Sequence, residues 1–188
     1  MTSNRVITIE GFLTADECSS LVTAIESLGF ENQYAGDGRH IRSRAQFEDQ
    51  GWAELIWRRL KPSVPKLTEI YDGEFHPDPT PNKPIETYAP VFLNERFRCY
   101  KYGTDEDFRR HQDFAHEYTE LKRTFLTVLI YLNDGYEGGE TSFDDFVVKP
   151  TLGMLAMFPH ELEHEGRKIY SGVKYSLRTD AVYESNGG

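Results

Sequence analysis

Cysteine is scarce in this chain: Cys18 and Cys99 are the only two among 188 residues. They form neither a C-x-x-C pair nor a disulfide ladder, so a disulfide scaffold is excluded and a reducing compartment is the simple expectation. Long apolar runs are missing too. Met1-Thr2-Ser3-Asn4-Arg5-Val6 has no charged head leading into an apolar stretch, and no later segment reaches the length a bilayer requires. These absences predict a soluble, cytoplasmic protein with no membrane partner. Cations are in deficit, with 21 Lys and Arg against 31 Asp and Glu and a net charge of −10. General affinity for nucleic acid needs a cationic surface, so no nucleic-acid partner is expected. Internal repeats and low-complexity linkers are also lacking. Aromatic residues, by contrast, are abundant: 12 Phe, 11 Tyr and 2 Trp. Disordered chains are poor in such residues, and this length fits one domain with a substantial core.

Within 1–188 the texture changes near residue 90. Residues 5–9 predict a short strand. Thr14-Ala15-Asp16-Glu17 is a capping box opening a helix whose apolar face is Cys18, Leu21, Val22, Ile25 and Leu28, ending near Gly29. A second amphipathic helix spans about 50–60, presenting Trp52, Leu55, Ile56 and Leu60, and Pro62 and Pro65 terminate it. Residues 72–90, with five prolines, predict a long irregular loop, a lid over a site or a plain connection. From 91 to 185, short β-like runs alternate with turn residues: Phe97–Tyr102, Phe125–Asn133, Glu140–Phe143, Phe146–Lys149, Met154–Phe158, Arg167–Tyr170 and Val173–Tyr183. Many short strands at close spacing indicate a sandwich or barrel. The expected architecture is mainly β, a jelly roll of cupin-like form with N-terminal flanking helices.

Chemistry concentrates in two places. His111-Gln112-Asp113 is an H-x-D pair after the strand Tyr100-Lys101-Tyr102. In extended backbone its two side chains point to one side, so an imidazole and a carboxylate can meet on one ion. Fifty-three residues later comes His164, and ten beyond that Lys174, on a strand that places Ser176 and Arg178 on the same face. Two imidazoles and a carboxylate form the facial triad that binds Fe(II) and leaves three positions open. Such a site suits a 2-oxo acid chelating through two atoms with O₂ taking the third position. A buried cation must then meet the far carboxylate of 2-oxoglutarate: Lys174, a compact ammonium, with Arg178 in reserve. A rival motif shares one residue. His160-Glu161-Leu162-Glu163-His164 matches the H-E-x-x-H of zinc metalloproteases, which requires a helix. Only Leu162 is apolar there, the space between β runs is short, and Arg167 stands where a metzincin needs Gly.

The order of these segments resembles the prolyl 4-hydroxylase-like branch of the Fe(II)/2-oxoglutarate-dependent dioxygenases. The likeness runs from Phe97 to Tyr183. It is carried by Arg98-Cys99-Tyr100-Lys101-Tyr102-Gly103, His111-Gln112-Asp113, Thr127–Asp134, Gly138-Gly139-Glu140-Thr141-Ser142-Phe143, Gly153–Pro159, His164-Glu165-Gly166 and Gly172–Asp180. The resemblance implies a double-stranded β-helix, metal ligands His111, Asp113 and His164, and Lys174 holding the distal carboxylate. Tyr102 and Thr127 would add hydrogen bonds to the co-substrate. It further implies Fe(II), 2-oxoglutarate and O₂, with ascorbate as an accessory reductant. The reaction would be hydroxylation of an unactivated C–H coupled to decarboxylation of 2-oxoglutarate to succinate. Proline, peptidyl or free, or another small molecule or peptide would be the substrate. Some positions depart from the branch. Thr124 stands where secretory members carry arginine, with Arg123 one place earlier, Phe108 replaces a tyrosine, and the strand after Lys174 lacks a tryptophan. These departures count against a collagen-like substrate while leaving the metal chemistry untouched. His116 is read as an entrance or surface residue, His160 as a loop histidine near the site. Two further classes stay open, a zinc protease and an inactive cupin-like binding module.

Overall fold

The computed structural model describes residues 5–66, 68–71, 74–76 and 86–186. In the N-terminal part, strand β1 (Ile7–Ile9) precedes helix α1 (Ala15–Leu28), strands β2 (Glu31–Tyr34) and β3 (His40–Glu48), and helix α2 (Gln50–Leu60). Then follow β4 (Thr68–Tyr71), β5 (Glu74–His76), β6 (Glu86–Leu93), β7 (Arg96–Tyr102), β8 (Phe108–His111), β9 (Glu117–Thr119) and β10 (Lys122–Tyr131). The last elements are β11 (Glu137–Gly138), β12 (Thr141–Ser142), β13 (Val147–Val148), β14 (Leu155–Pro159), β15 (His164–Gly166), β16 (Ile169–Ser171) and β17 (Lys174–Ser185).

The capping box forms as its residue types require. The Thr14 hydroxyl accepts from Glu17 N–H at 3.2 Å, and the Glu17 carboxylate accepts from Thr14 N–H at 2.9 Å. Cys18, Leu21 and Ile25 are buried beneath the helix, whereas Leu28, expected on the same face, is 55% exposed at its last turn. Replacing Thr14 by alanine is expected to cost about 1 kcal/mol, read as a lower midpoint in chemical denaturation.

Two expectations about the flank need correction. Between the helices lies a β2–β3 hairpin, and β3 pairs with β7 from Ser43↔Lys101 to Glu48↔Arg96, so the flank is not simply helical. The segment 72–90 is not wholly irregular either. It contains β5 and the start of β6, and β6 pairs with the distal half of β17. Pro90 suggested a loop, but the aromatic and β-branched residues around it form a strand. Residues 77–85, and with them the lid reading, lie outside the described residues.

The main sheet runs β1-β14-β10-β17-β6-β4-β5, with β2, β3, β7 and β9 joined at its sides. Period-two alternation divides its chemistry. Along β10, Leu126, Val128 and Ile130 turn to a buried cluster with Cys18, Leu21, Ile25, Ile56 and Leu60 of the helices. The intervening Thr127, Leu129 and Tyr131 face the other way. Lys174, Ser176 and Arg178 of β17 and Tyr100 and Tyr102 of β7 share that second face, with Lys174 opposite Tyr102 and Ser176 opposite both Tyr100 and Tyr131. A smaller sheet, β13-β12-β15-β8, carries the histidines. These antiparallel sheets make the mainly β jelly roll expected from the strand pattern.

Candidate metal centre

His111 and His164, far apart in sequence, are direct cross-strand partners in the β8–β15 ladder. Asp113 follows just past the end of β8, its N–H bonded to the His160 carbonyl at 2.9 Å. One ligand atom from each of His111, Asp113 and His164 lies within 4.8 Å of the other two. The imidazoles arrive oriented. His111 Nδ1–H donates to the Arg109 carbonyl and His164 Nδ1–H to the Leu162 carbonyl, each at 2.8 Å. A carbonyl only accepts, so each ring keeps its Nε2 lone pair free, as metal ligation requires. Those two Nε2 atoms stand 3.7 and 3.8 Å from opposite oxygens of Asp113. Burial lowers both imidazole pKa values and keeps the rings neutral. Burial pushes the Asp113 carboxyl up, but Arg178, His164 and the Thr127 hydroxyl outweigh it and hold the group below its usual range. Two neutral imidazole nitrogens and an ionised carboxylate fit a first-row divalent metal with open positions.

A cavity of about 40 Å³ extends from this cluster. Lys174 marks another part of its wall, its buried Nζ donating to the Gly139 carbonyl at 2.6 Å. Among the described residues no carboxylate lies within 4.0 Å of it. The rings of Tyr102 and Tyr131 stand 5.6 and 5.2 Å from the ammonium. Burial pushes the Lys174 pKa down to about 7, opposed only by the more distant Glu140. An ammonium with unused donors in an apolar wall is a receptor for an incoming carboxylate. Gly139 makes the approach possible. At φ +71° it adopts a conformation suited to glycine, and a Cβ there would meet Ile169 Cδ1 at 2.4 Å and Lys174 Cδ at 3.1 Å. Gly139→Ala is therefore expected to displace Lys174 and weaken binding of a carboxylate ligand there, measurable by calorimetric titration.

All six residues singled out from the sequence, His111, Asp113, His164, Lys174, Tyr102 and Thr127, line this one cavity. Thr127 donates its hydroxyl hydrogen to Asp113 Oδ2 at 2.5 Å. Arg178 lines the cavity but is engaged by Asp113 at 3.2 Å and Asp180 at 3.0 Å. Tyr131 was missed, although its position two residues beyond Leu129 on the same strand face was a usable signal. Its hydroxyl pairs with Thr141 Oγ1 at 2.7 Å beside Lys174. Arg123 instead lies over the Phe125 ring, and the His116 side chain is exposed. His160, more deeply placed than a loop histidine, is buried beside Thr127. The H-E-x-x-H segment is a turn followed by a strand, so its histidines never share a helical face and a zincin site does not form.

The fold and this donor set point to a class: a jelly-roll protein with two imidazoles and a carboxylate that fit a facial-triad metal. The viral collagen prolyl hydroxylase of Paramecium bursaria Chlorella virus-1, solved with 2-oxoglutarate, is 18% identical and superposes with a TM-score of 0.63, covering 96% of each chain. A prolyl 4-hydroxylase of Pseudomonas putida is 18% identical with a TM-score of 0.59, over 94% of this chain and 91% of its own. A prolyl hydroxylase of Trichoplax adhaerens, in complex with a peptide of the hypoxia-inducible factor oxygen degradation domain, is 15% identical with a TM-score of 0.62, over 95% and 84%. No curated protein matches the chain in sequence. Residues 97–179 match the family model of the 2OG-Fe(II) oxygenase superfamily. The matched stretch holds His111, Asp113, His164 and Lys174, and with the fold it supports an Fe(II)- and 2-oxoglutarate-dependent dioxygenase using O₂. No helix among the described residues is long and apolar enough to cross a membrane.

Proposed function

We propose that His111, Asp113 and His164 are the iron ligands and that Lys174, flanked by Tyr102, receives the distal carboxylate of 2-oxoglutarate. The observation that carries this reading is the convergence of two pre-oriented Nε2 atoms on opposite oxygens of one carboxylate. Bound iron supplies oxidative decarboxylation of 2-oxoglutarate to succinate and CO₂ and the oxidising power to hydroxylate an unactivated C–H. The chain's own residues prepare that chemistry. The Arg109 and Leu162 carbonyls fix the imidazole tautomers. Lys174 takes up a proton as the co-substrate carboxylate arrives, and buried Phe158 and half-buried Leu129 keep the wall apolar.

The substrate is a small molecule or peptide, with proline, peptidyl or free, as the first candidate. The prolyl hydroxylases that share this fold support that order. The chain acts as one domain, a reading supported by the pairing of the flank's β3 and β6 with β7 and β17. Two buried free thiols, Cys18 and Cys99, favour the cytoplasm, and the charge of −10 disfavours nucleic acid.

The test is incubation with Fe(II), 2-oxoglutarate, ascorbate and candidate substrates, followed by mass spectrometry. Succinate should appear in step with a product 16 Da heavier than its substrate, the mass of one added oxygen atom. Zinc-dependent peptide hydrolysis, or metal binding with no 2-oxoglutarate turnover under any substrate, would overturn the assignment in favour of a protease or a binding module.

A further inference from the structure

The buried groups behind Asp113 form a chain whose every hydrogen has a determined owner. An ionised carboxylate only accepts, so Thr127 must give its one hydroxyl hydrogen to Asp113 Oδ2, at 2.5 Å. Thr127 Oγ1 also lies 2.9 Å from His160 Nδ1, and with its hydrogen committed it can only accept. Nδ1 therefore carries the ring hydrogen, and the neutral ring has a bare Nε2. That nitrogen lies 2.9 Å from Thr124 Oγ1 and takes the Thr124 hydroxyl hydrogen. Thr124 Oγ1 in turn accepts from the His116 backbone N–H at 2.9 Å. Hydrogen bonds thus run one way, from His116 N–H through Thr124, His160 and Thr127 to Asp113. The three side chains are buried.

Backbone geometry has been adjusted to build this chain. Threonines three apart on a regular strand face opposite sides of a sheet. Here the β10–β17 register shifts between Thr124 and Leu126, and the extra residue turns Thr124 and Thr127 toward the same imidazole. His160 grips Asp113 a second time, because its carbonyl accepts the Asp113 N–H at 2.9 Å while its own N–H donates to the Phe125 carbonyl at 2.9 Å. With Arg178 on Oδ1 at 3.2 Å, each oxygen of Asp113 is held by a separate donor.

Resting on the ligand assignment proposed above, we infer that His160, through Thr127 and Thr124, is a positioning residue that orients the Asp113 carboxylate for metal binding. It is not itself a ligand, since both its ring nitrogens are engaged. Thr127 belongs to this chain rather than acting chiefly as a co-substrate contact. Outer partners of metal ligands set ligand orientation and basicity, and losing one typically costs about 10–100-fold in metal affinity.

The experiment measures Mn²⁺ affinity of the full chain by titration and the ligand-field spectrum of the Co²⁺-loaded protein. Thr127→Val, nearly isosteric but without a hydroxyl, is expected to weaken Mn²⁺ binding by about 10–100-fold and shift the Co²⁺ bands. Thr127→Ser, which keeps the hydroxyl, should restore most of the affinity and the spectrum. His160→Phe should fall in the same range, and combining it with Thr127→Val should add little, because both break one chain. Thr179→Val removes another buried hydroxyl, bonded to the Asn94 carbonyl at 2.6 Å and outside the chain, and should leave both readouts unchanged. Wild-type affinity and spectrum in Thr127→Val, or a loss in Thr127→Ser as large as in Thr127→Val, would overturn the inference. Should His160→Phe fail to fold, the Thr127 pair decides alone. If wild type bound no metal, or His111→Ala bound it normally, the iron-site assignment itself would fail instead.

Discussion

Asp113→Ala is expected to lower iron affinity by more than about 100-fold, beyond the range seen for outer partners of metal ligands, and to abolish coupled succinate release. The size follows from what the carboxylate does. It is the only anionic donor in the cluster, and it stands between two Nε2 atoms at 3.7 and 3.8 Å. Without it, two neutral imidazoles must hold a divalent ion beside the Arg178 guanidinium. Arg178 keeps Asp180 at 3.0 Å, so the variant retains a partner for its buried charge and should fold. Thermal denaturation of metal-free wild type and variant checks this, and calorimetric or paramagnetic titration supplies the affinity. His111→Ala and His164→Ala should lose affinity and turnover in the same way. Full iron-dependent turnover by His111→Ala or Asp113→Ala would make the ligand set wrong.

Lys174→Met should raise the apparent KM for 2-oxoglutarate far more than it alters the rate at saturation, because in the proposed site the ammonium meets an end of the co-substrate that does not react. Removing one partner of a buried charge pair costs about 2–5 kcal/mol, which corresponds to roughly 30-fold or more in KM. A pH signature separates this role from packing. In the ligand-free protein the Lys174 pKa is lowered to about 7, so above that pH the free site increasingly holds a neutral amine. The co-substrate dianion requires the ammonium, and its binding should weaken by about tenfold per pH unit above the folded pKa. Stability moves in the opposite sense. Between about 7 and the ordinary 10.5 the unfolded chain binds the extra proton, so ligand-free stability rises with pH across that window. Below about 7 the cost of burying the charge is fully present. Lys174→Met should flatten both dependences, measured by titration of 2-oxoglutarate and by denaturation at several pH values. A variant with unchanged KM and wild-type pH dependence would remove Lys174 from the co-substrate site.

How much of this was legible in advance depends on the range of the interaction concerned. Thr14 and Glu17 announce a capping box because their partners are three residues apart. The strands from Phe97 onward announce themselves by composition and turn chemistry. The β2–β3 hairpin does not, since Glu31–Tyr34 and His40–Glu48 are largely polar and one side of the pair is anchored by β7. Likewise β6 reads as a proline-rich loop until β17 supplies hydrogen-bond partners. Edge pairing of this kind is a tertiary event that local propensity does not encode.

At the metal centre, residue types and order determined the chemistry. An H-x-D, a distant histidine and a lysine ten residues further, read with the order of the strands around them, pointed to an iron site and its co-substrate, because donor atoms and charges belong to side chains. Tertiary structure decided how those donors are held. His160 read as a bystander and Thr127 as a co-substrate contact, yet a register shift in β10 turns Thr124 and Thr127 onto one imidazole behind Asp113. Arg178 looked like a spare anchor for 2-oxoglutarate, and the fold ties it to Asp113 and Asp180. The reason is physical. Coordination chemistry is carried by atoms the sequence names, whereas orientation comes from hydrogen bonds between strands that only folding brings within 3 Å.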